Sequence, residues 1–452
     1  MKIRFLGGAR SVTGSLFSIN NQILVECGLF QGHREEAEEF NRNPPLDLDS
    51  VSAVFITHAH LDHSGNLPNI VKKGYRGPIF ATEPTIDITS LLLLDAAHIF
   101  EQDIRYLNKK LRKRGLPEKD PLYTIEDAEK TIKLFRPLPY HHPIMIEDYE
   151  ITLFDSGHIL GSSQIRIKTP NSVLLFSGDI GRKDMPFLKD PELGIGADVL
   201  VMESTYGGRS HEPVDMVKEK LKKLILRISR QKARLLIPAF AVERTQDLIY
   251  ILHEIRDEVP PVPIYVDSPL ANDVTRVFRS HLGIFDQETK ELIKADEDPL
   301  SFSHLHFVED VEESKHLNEF TGPVIIISAS GMCEGGRILH HLKRTVTDPR
   351  NIILFVGFQA RNTLGRRIVD GAKRIKIFGD DFNLRCQVEV IDGLSSHAGH
   401  SDLIQYASSI PELKKIFLVH GEDEAQGALK GSLQKVFSGE IEVPDIGEEY
   451  QI

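Results

Sequence analysis

At 452 residues the chain has room for two or three domains, and a hydrophobic fraction of 41% beside a charged fraction of 27% supplies an ordinary globular core. Three widely spaced cysteines, Cys27, Cys333 and Cys386, exclude a disulfide framework and a cysteine zinc cluster, and they suit a reducing cytoplasm. No signal peptide is expected from the N-terminal stretch, and the most apolar run, 91–94, falls far short of the ~20 residues that cross a membrane. The net charge of −12 weighs mildly against a nucleic-acid partner, but residues 208–365 carry 21 Lys and Arg against 23 Asp and Glu, which leaves room for a local basic groove.

The first sixty residues alternate as short strands over 2–6, 15–19, 22–25 and 53–56, with Asn20-Asn21 as a hairpin turn. Helical spacing follows over 84–100 and 125–134, and strands return over 150–154, 163–168, 172–177 and 199–203. After Tyr206-Gly207-Gly208 the character changes to strands alternating with long helices, including helices over 214–228 and 243–256. The apolar runs at 322–330 and 351–358 fit buried parallel strands. From about Lys373 the pattern reverts to short mixed strands. The expectation is a doubly wound α/β insert over 208–365, carried inside a first domain built from 1–207 and 366–452.

The chemistry concentrates in AVFITHAHLDHSGNLP. A strand ends at Ile56, Thr57 opens a loop, and His58, His60, Asp62 and His63 follow within six residues. Residues two apart in extended chain point the same way, so His58 and His60 address one ion. Asp62 and His63 diverge as the chain bends into a helix and suit a second. Imidazole and carboxylate donors favour Zn²⁺ over Mn²⁺ or Fe²⁺. Three further candidates each stand just after an apolar strand at a turn: His158 in SGH, Asp179 in SGD and His420 in LVHGE.

These residues resemble the metallo-β-lactamase superfamily: HAHLDH matches its HxHxDH motif, and SGH, SGD and the late histidine follow in its order. Glu203 in MESTYGG, His397 in GLSSHAGHSD and His420 in LVHGE, with IPAFAVERTQ, VDSPLA, SASGM and GGRILHHL, are similar to the β-CASP branch of RNA-processing nucleases, which includes the cleavage and polyadenylation endonuclease subunit and ribonuclease J. The resemblance implies an αββα sandwich carrying the inserted β-CASP domain and two zinc ions per chain. One ion would be held by His58, His60 and His158 and the other by Asp62, His63 and His420, with Asp179 bridging. A histidine at the position of His420 goes in that branch with RNA substrates, where DNA-processing members tend to carry valine. The branch usually has aspartate where this chain has Glu26, a group expected to hold the metal loop through hydrogen bonds.

The expected function is zinc-dependent hydrolysis of single-stranded RNA. Asp62 would orient the attacking water, His397 would act as acid or phosphate contact, and Glu203 would tune His397. Ser330, Arg337 and Arg361 are weaker candidates for substrate contacts. The basic run 109–114 reads as a solvated helix end. A small-molecule hydrolase of the lactamase or glyoxalase type would share the zinc ligands but would need neither the insert nor His397. A DNA nuclease of the branch would tend to lack a histidine at position 420, and a non-catalytic RNA-binding subunit would have lost metal ligands that all survive in this chain. A homodimer is compatible with the sequence, although no dedicated C-terminal dimerisation domain is expected.

Overall fold

A computed structural model describes residues 1–31, 34–295, 297–360 and 362–452, and the chain divides into two compact units. The first comprises Met1–Lys183, Asp190–Ser210 and His397–Ile452; the second comprises Asp184–Lys189 and His211–Ser396.

The first unit is a sandwich of two seven-stranded sheets. One runs in the order β22 (Glu449–Gln451), β1 (Lys2–Gly7), β2 (Leu16–Ile19), β3 (Ile23–Val25), β4 (Ala53–Phe55), β5 (Ile79–Ala81), β6 (Phe135–Pro137). The other runs β21 (Glu440–Glu442), β20 (Lys415–Val419), β11 (Val199–Glu203), β10 (Val173–Phe176), β9 (Ser163–Lys168), β8 (Tyr149–Asp155), β7 (Ile144–Ile146). Alternation along each strand sends one set of side chains inward, where Phe17 meets Phe176 at 5.5 Å and Phe5 meets Phe417 at 5.0 Å between ring centres. The opposite set packs under helices: Leu24, Val54 and Ile56 lie against Leu67, Ile70 and Leu93, and Leu200, Met202 and Leu418 lie against Leu403, Tyr406 and Leu429. These four layers are the expected αββα sandwich.

The helix expected over 84–100 runs from Glu83 to Lys113. Thr82 caps it and its buried residues end at Ala97. Beyond that point helix formers, a Glu101–Arg105 pair and a basic last turn sustain it, so the apolar period stops before the helix does. Among the described residues no helix is long and apolar enough to cross a membrane.

The second unit holds a fully parallel six-stranded sheet in the order β14 (Leu305–Phe307), β13 (Ile264–Val266), β15 (Val324–Ser328), β12 (Arg234–Pro238), β16 (Ile352–Phe355), β19 (Gln387–Val390), with a hairpin of β17 (Arg374–Ile377) and β18 (Asp380–Asn383). The chain winds from β12 towards β14 and then through β15 to β16 and β19 on the far side, the doubly wound pattern. The compact unit ends at Ser396, later than the return at 365 drawn from the sequence, because β19 extends this sheet beside β16. It also takes in Asp184–Lys189, where the Phe187 ring packs on Tyr250 and Phe285.

Phe417 ties the two sheets of the first unit, touching Phe5 and Tyr450. Phe417→Ala should lower the midpoint of urea unfolding by the equivalent of about 3–5 kcal/mol. An unchanged midpoint would mean that the sandwich does not depend on these rings.

Candidate metal centre

Six strands of the first unit deliver a polar residue at or just beyond their C-terminal ends: β3 leads to Glu26, β4 to His58, β8 to His158, β10 to Asp179, β11 ends on Glu203, and β20 leads to His420. Local backbone explains how the loops nest. Glu26 takes a left-handed φ of 66°, which turns the chain beneath the histidine loop, where Cys27 N–H donates to the His63 carbonyl at 2.7 Å and Leu29 N–H to that of Leu61 at 2.7 Å. Gly28 sits so close that a Cβ would stand 1.6 Å from the Asp62 carbonyl oxygen, so no side chain fits there.

Two groups of donor atoms result. His58 Nε2 lies 3.1 Å from His60 Nδ1, His158 Nε2 lies 3.4 Å from the same His60 Nδ1, and both Nε2 atoms lie 3.5 Å from Asp179 Oδ2. In the second group His63 Nε2 is 3.2 Å from His420 Nε2, which is 3.4 Å from Asp62 Oδ2; His63 Nε2 is also 3.5 Å from Asp179 Oδ2. One oxygen of Asp179 thus borders both groups. Zinc–nitrogen bonds of ~2.0–2.1 Å set tetrahedral edges of about 3.3 Å, so these separations fit cations at the two centres. The donors are chemically suited: His158 Nδ1 and Asp179 Oδ1 are buried without a hydrogen-bond partner, and the imidazoles present lone pairs to one another. The cluster has the donor set of a metal-binding site.

Glu26 reaches the cluster despite its extra methylene. Its carboxylate accepts the Thr57 hydroxyl proton and the Thr57 N–H at 3.4 Å. With that proton spent, the Thr57 oxygen accepts from His58 Nδ1–H at 2.9 Å, which leaves His58 Nε2 free for a metal. Glu26 Oε1 also lies 3.3 Å from His63 Nδ1, at ion-pair distance but outside hydrogen-bond geometry, on the side away from that ring's metal-facing nitrogen. Thr57 and Thr205, whose hydroxyl is 3.1 Å from His420 Nδ1, are orienting groups that sequence reading did not assign. The signal for Thr57 was its place between the strand and the first histidine.

The electrostatics follow from burial. Desolvation and the neighbouring imidazoles hold His58 and His158 well below the ordinary histidine value and bring His60 down to about 4. Burial works against the charged form of His63, yet Asp179 and Glu26 push it up to about 10. Burial likewise opposes ionised Asp179 and Asp62, but the histidines around them pull both far down.

His397 stands beside the two groups. Its Nδ1 is 3.1 and 3.2 Å from the two oxygens of buried Glu203 and 3.8 Å from Asp179 Oδ2, and Gly181 bridges to it backbone to backbone. Desolvation is outweighed by the charges of Glu203 and Asp179, so its pKa rises to about 9. Glu203 is itself fixed by the Ile180 N–H at 2.7 Å.

The weaker candidates lie elsewhere. Ser330 and Arg337 belong to the second unit, where the Ser330 hydroxyl accepts from Glu334 N–H at 3.1 Å. The Arg337 guanidinium is engaged inside the unit, donating to Asp267 at 2.6 Å and to the Glu309 carbonyl at 3.1 Å, so its fork is spent on the unit's own structure. Arg361 lies outside the described residues.

Comparison with known proteins adds to this geometry. The chain matches a metallo-beta-lactamase superfamily domain over residues 16–191, a Beta-Casp domain over 245–368 and a Zn-dependent metallo-hydrolase RNA specificity domain over 381–444. It is 34% identical to ribonuclease TTHA0252 of Thermus thermophilus over 99% of each chain. It is 33% identical to transcription termination factor FttA of Methanothermobacter thermautotrophicus, covering 98% of this chain and 70% of that one, and FttA of Thermococcus kodakarensis matches at the same identity and coverage. Among solved structures, a protein of unknown function from Enterococcus faecalis V583 shares the fold, with a TM-score of 0.54 at 15% identity over 99% of both chains.

Glu26→Gln keeps the side-chain length and removes the charge that orients His58 and His63. Zinc affinity measured by chelator competition should fall about 10–100-fold, and Thr57→Val should fall in the same direction. Wild-type affinity in both variants would remove Glu26 from the support of the centre.

Proposed function

The chain belongs to the β-CASP family of the metallo-β-lactamase superfamily, and from that premise we propose that it is a zinc-dependent ribonuclease that hydrolyses phosphodiester bonds of single-stranded RNA. The observation that carries the reading is the pairing of two donor groups bordered by Asp179 with His397 beside them, its ring held by Glu203, which also lies within reach of Asp179 and His420. In this reading His58, His60 and His158 hold one zinc ion, Asp62, His63 and His420 hold the other, and Asp179 serves both.

Two bound ions would supply an acidified water and positive charge for the phosphate oxygens. The chain's own residues set the rest. Asp62 has Oδ2 3.4 Å from His420 Nε2, and its other oxygen would orient the attacking water. Glu203 accepts Nδ1–H of His397, so the proton of the charged ring at Nε2 is the one offered to the leaving oxygen or to the phosphate charge. A lactamase- or glyoxalase-type hydrolase would need neither this pair nor the second unit. The three cysteines are buried and free, as a reducing cytoplasm permits.

The direct test is cleavage of unstructured RNA set beside DNA of the same sequence and a perfect RNA hairpin stem. RNA should be cut and the other two largely spared. Equal cutting of DNA would replace the RNA reading.

Elemental analysis should approach two zinc ions per chain, and Asp179→Ala should lose both metal and activity. Active protein with a stable content of one ion or none would sink the two-ion centre. His397→Ala should keep its zinc and lose at least ~10²-fold in turnover, the scale of general acid catalysis. Zinc loss in that variant would make His397 a ligand.

A further inference from the structure

Apolar side chains scattered singly over a surface carry no message, but an unpartnered aromatic pair on a rigid edge does. Four phenylalanines are exposed among the described residues: Phe240, Phe320, Phe358 and Phe378. Phe320 has Tyr265 beside it, and Phe378 has His340 and the Lys343 ammonium. Phe240 and Phe358, 40% and 50% exposed, have neither an aromatic nor a cationic partner among the described residues.

Both stand just past the carboxyl ends of adjacent strands of the second unit, Phe240 after β12 and Phe358 after β16. The loop after β15 joins them. A Cβ on Gly331 would lie 3.3 Å from the Phe240 ring, and one on Gly357 would lie 3.9 Å from it, so two glycines form the floor around that ring. The backbone here is fixed. The buried Gln359 amide donates to the carbonyls of Gly331 (3.1 Å), Gly357 (3.2 Å) and Phe358 (3.1 Å), which ties the β15 and β16 loops together. Thr245 donates to the Phe240 carbonyl at 2.7 Å, and Ala239 N–H to the Ser328 carbonyl at 3.1 Å. Two apolar rings thus stand exposed on a hydrogen-bonded backbone at the carboxyl edge of a parallel sheet, where open α/β sheets receive their ligands.

We infer that Phe240 and Phe358 form a stacking platform for the bases of single-stranded RNA. The inference rests on the ribonuclease reading above and adds a contact to bases rather than to phosphates. Neither ring offers a hydrogen bond, so the platform takes any base. It favours unpaired strands, whose π-faces are open, and it separates RNA affinity from the chemistry at the metal centre.

The test uses the zinc-loaded full chain and a phosphorothioate single-stranded RNA carrying 2-aminopurine. Three proteins are compared, wild type, Phe240→Leu/Phe358→Leu and Phe240→Trp/Phe358→Trp, and wild type is also measured with an abasic oligonucleotide. Base stacking is lost on removal of an aromatic ring at a cost of about tenfold or more in affinity per base. The leucine pair should therefore bind about tenfold or more weakly and lose the 2-aminopurine quench, while the tryptophan pair keeps both. Wild type should bind the abasic strand as weakly as the leucine pair binds the intact one. All three proteins should hydrolyse bis-(p-nitrophenyl) phosphate at the same rate, which shows that the fold and the metal centre are intact. Wild-type RNA affinity in the leucine pair overturns the platform. So does a leucine pair that changes only its sedimentation, since the rings would then face a second copy or another protein. Wild type that turns over bis-(p-nitrophenyl) phosphate but binds no RNA overturns the ribonuclease reading itself, and the platform with it.

Discussion

Glu26 brings a carboxylate into a place that water does not reach, at the end of the buried apolar strand β3. Burial raises its pKa, and the His63 charge with the Thr57 hydrogen bonds offsets only part of that rise. Because both oxygens are used as acceptors, the group has one stable arrangement, and that arrangement sets two imidazoles at once: His58 through the Thr57 hydroxyl and His63 directly. The left-handed backbone at Glu26 is a conformation that non-glycine residues rarely adopt, held here by the Glu26 N–H bond to Phe55 and the Cys27 bond to His63. The histidine loop, and with it His58 and His63, is set from this short segment.

The sandwich makes such a segment possible. Its inner face is filled by rings and branched aliphatic side chains, so the strands are rigid to their last residue, and the polar groups are pushed to the edge where the strands stop. Crowding His58, His60 and His158 there in their neutral form has a cost without a cation. Buried ring nitrogens face one another, and Asp179 and Asp62, with Glu26 beside His63 and Glu203 beside His397, supply the negative charge among them. Binding of metal relieves that cost, so the centre and the stability of the surrounding loops are linked. A site built this way is selective by position rather than by flexibility.

Much of this was legible in the sequence because the informative residues are close together or carry a local signature. The HAHLDH run needs no tertiary knowledge, and His158, Asp179 and His420 each announce themselves by following an apolar strand into a turn. What was not legible depends on partners distant in the chain. Strands of three residues such as Ile79–Ala81 and Ile144–Ile146 are too short to show a period and exist through their neighbours. Gln387–Val390 is mixed and half-buried, so nothing local says that it extends the second sheet. Arg337 looked available for phosphate because its partner Asp267 lies 70 positions away. The reach of Glu26 to His63 and Thr57 was in doubt from one added methylene, and only the folded loop shows that the length is accommodated.

The interleaving of the two units also sets an order in time. A ribosome delivers His58, His60, Asp62, His63, His158 and Asp179 early, then the whole of His211–Ser396, and only afterwards His397 and His420. The first donor group is therefore chemically complete while the second still lacks His420, for as long as the second unit takes to be made. A chain interrupted anywhere in that interval carries one set of ligands and two of the three residues of the other, with no His397. On the proposed assignment, the insertion therefore separates the two sets of ligands in the order of synthesis, with His397 and His420 arriving last.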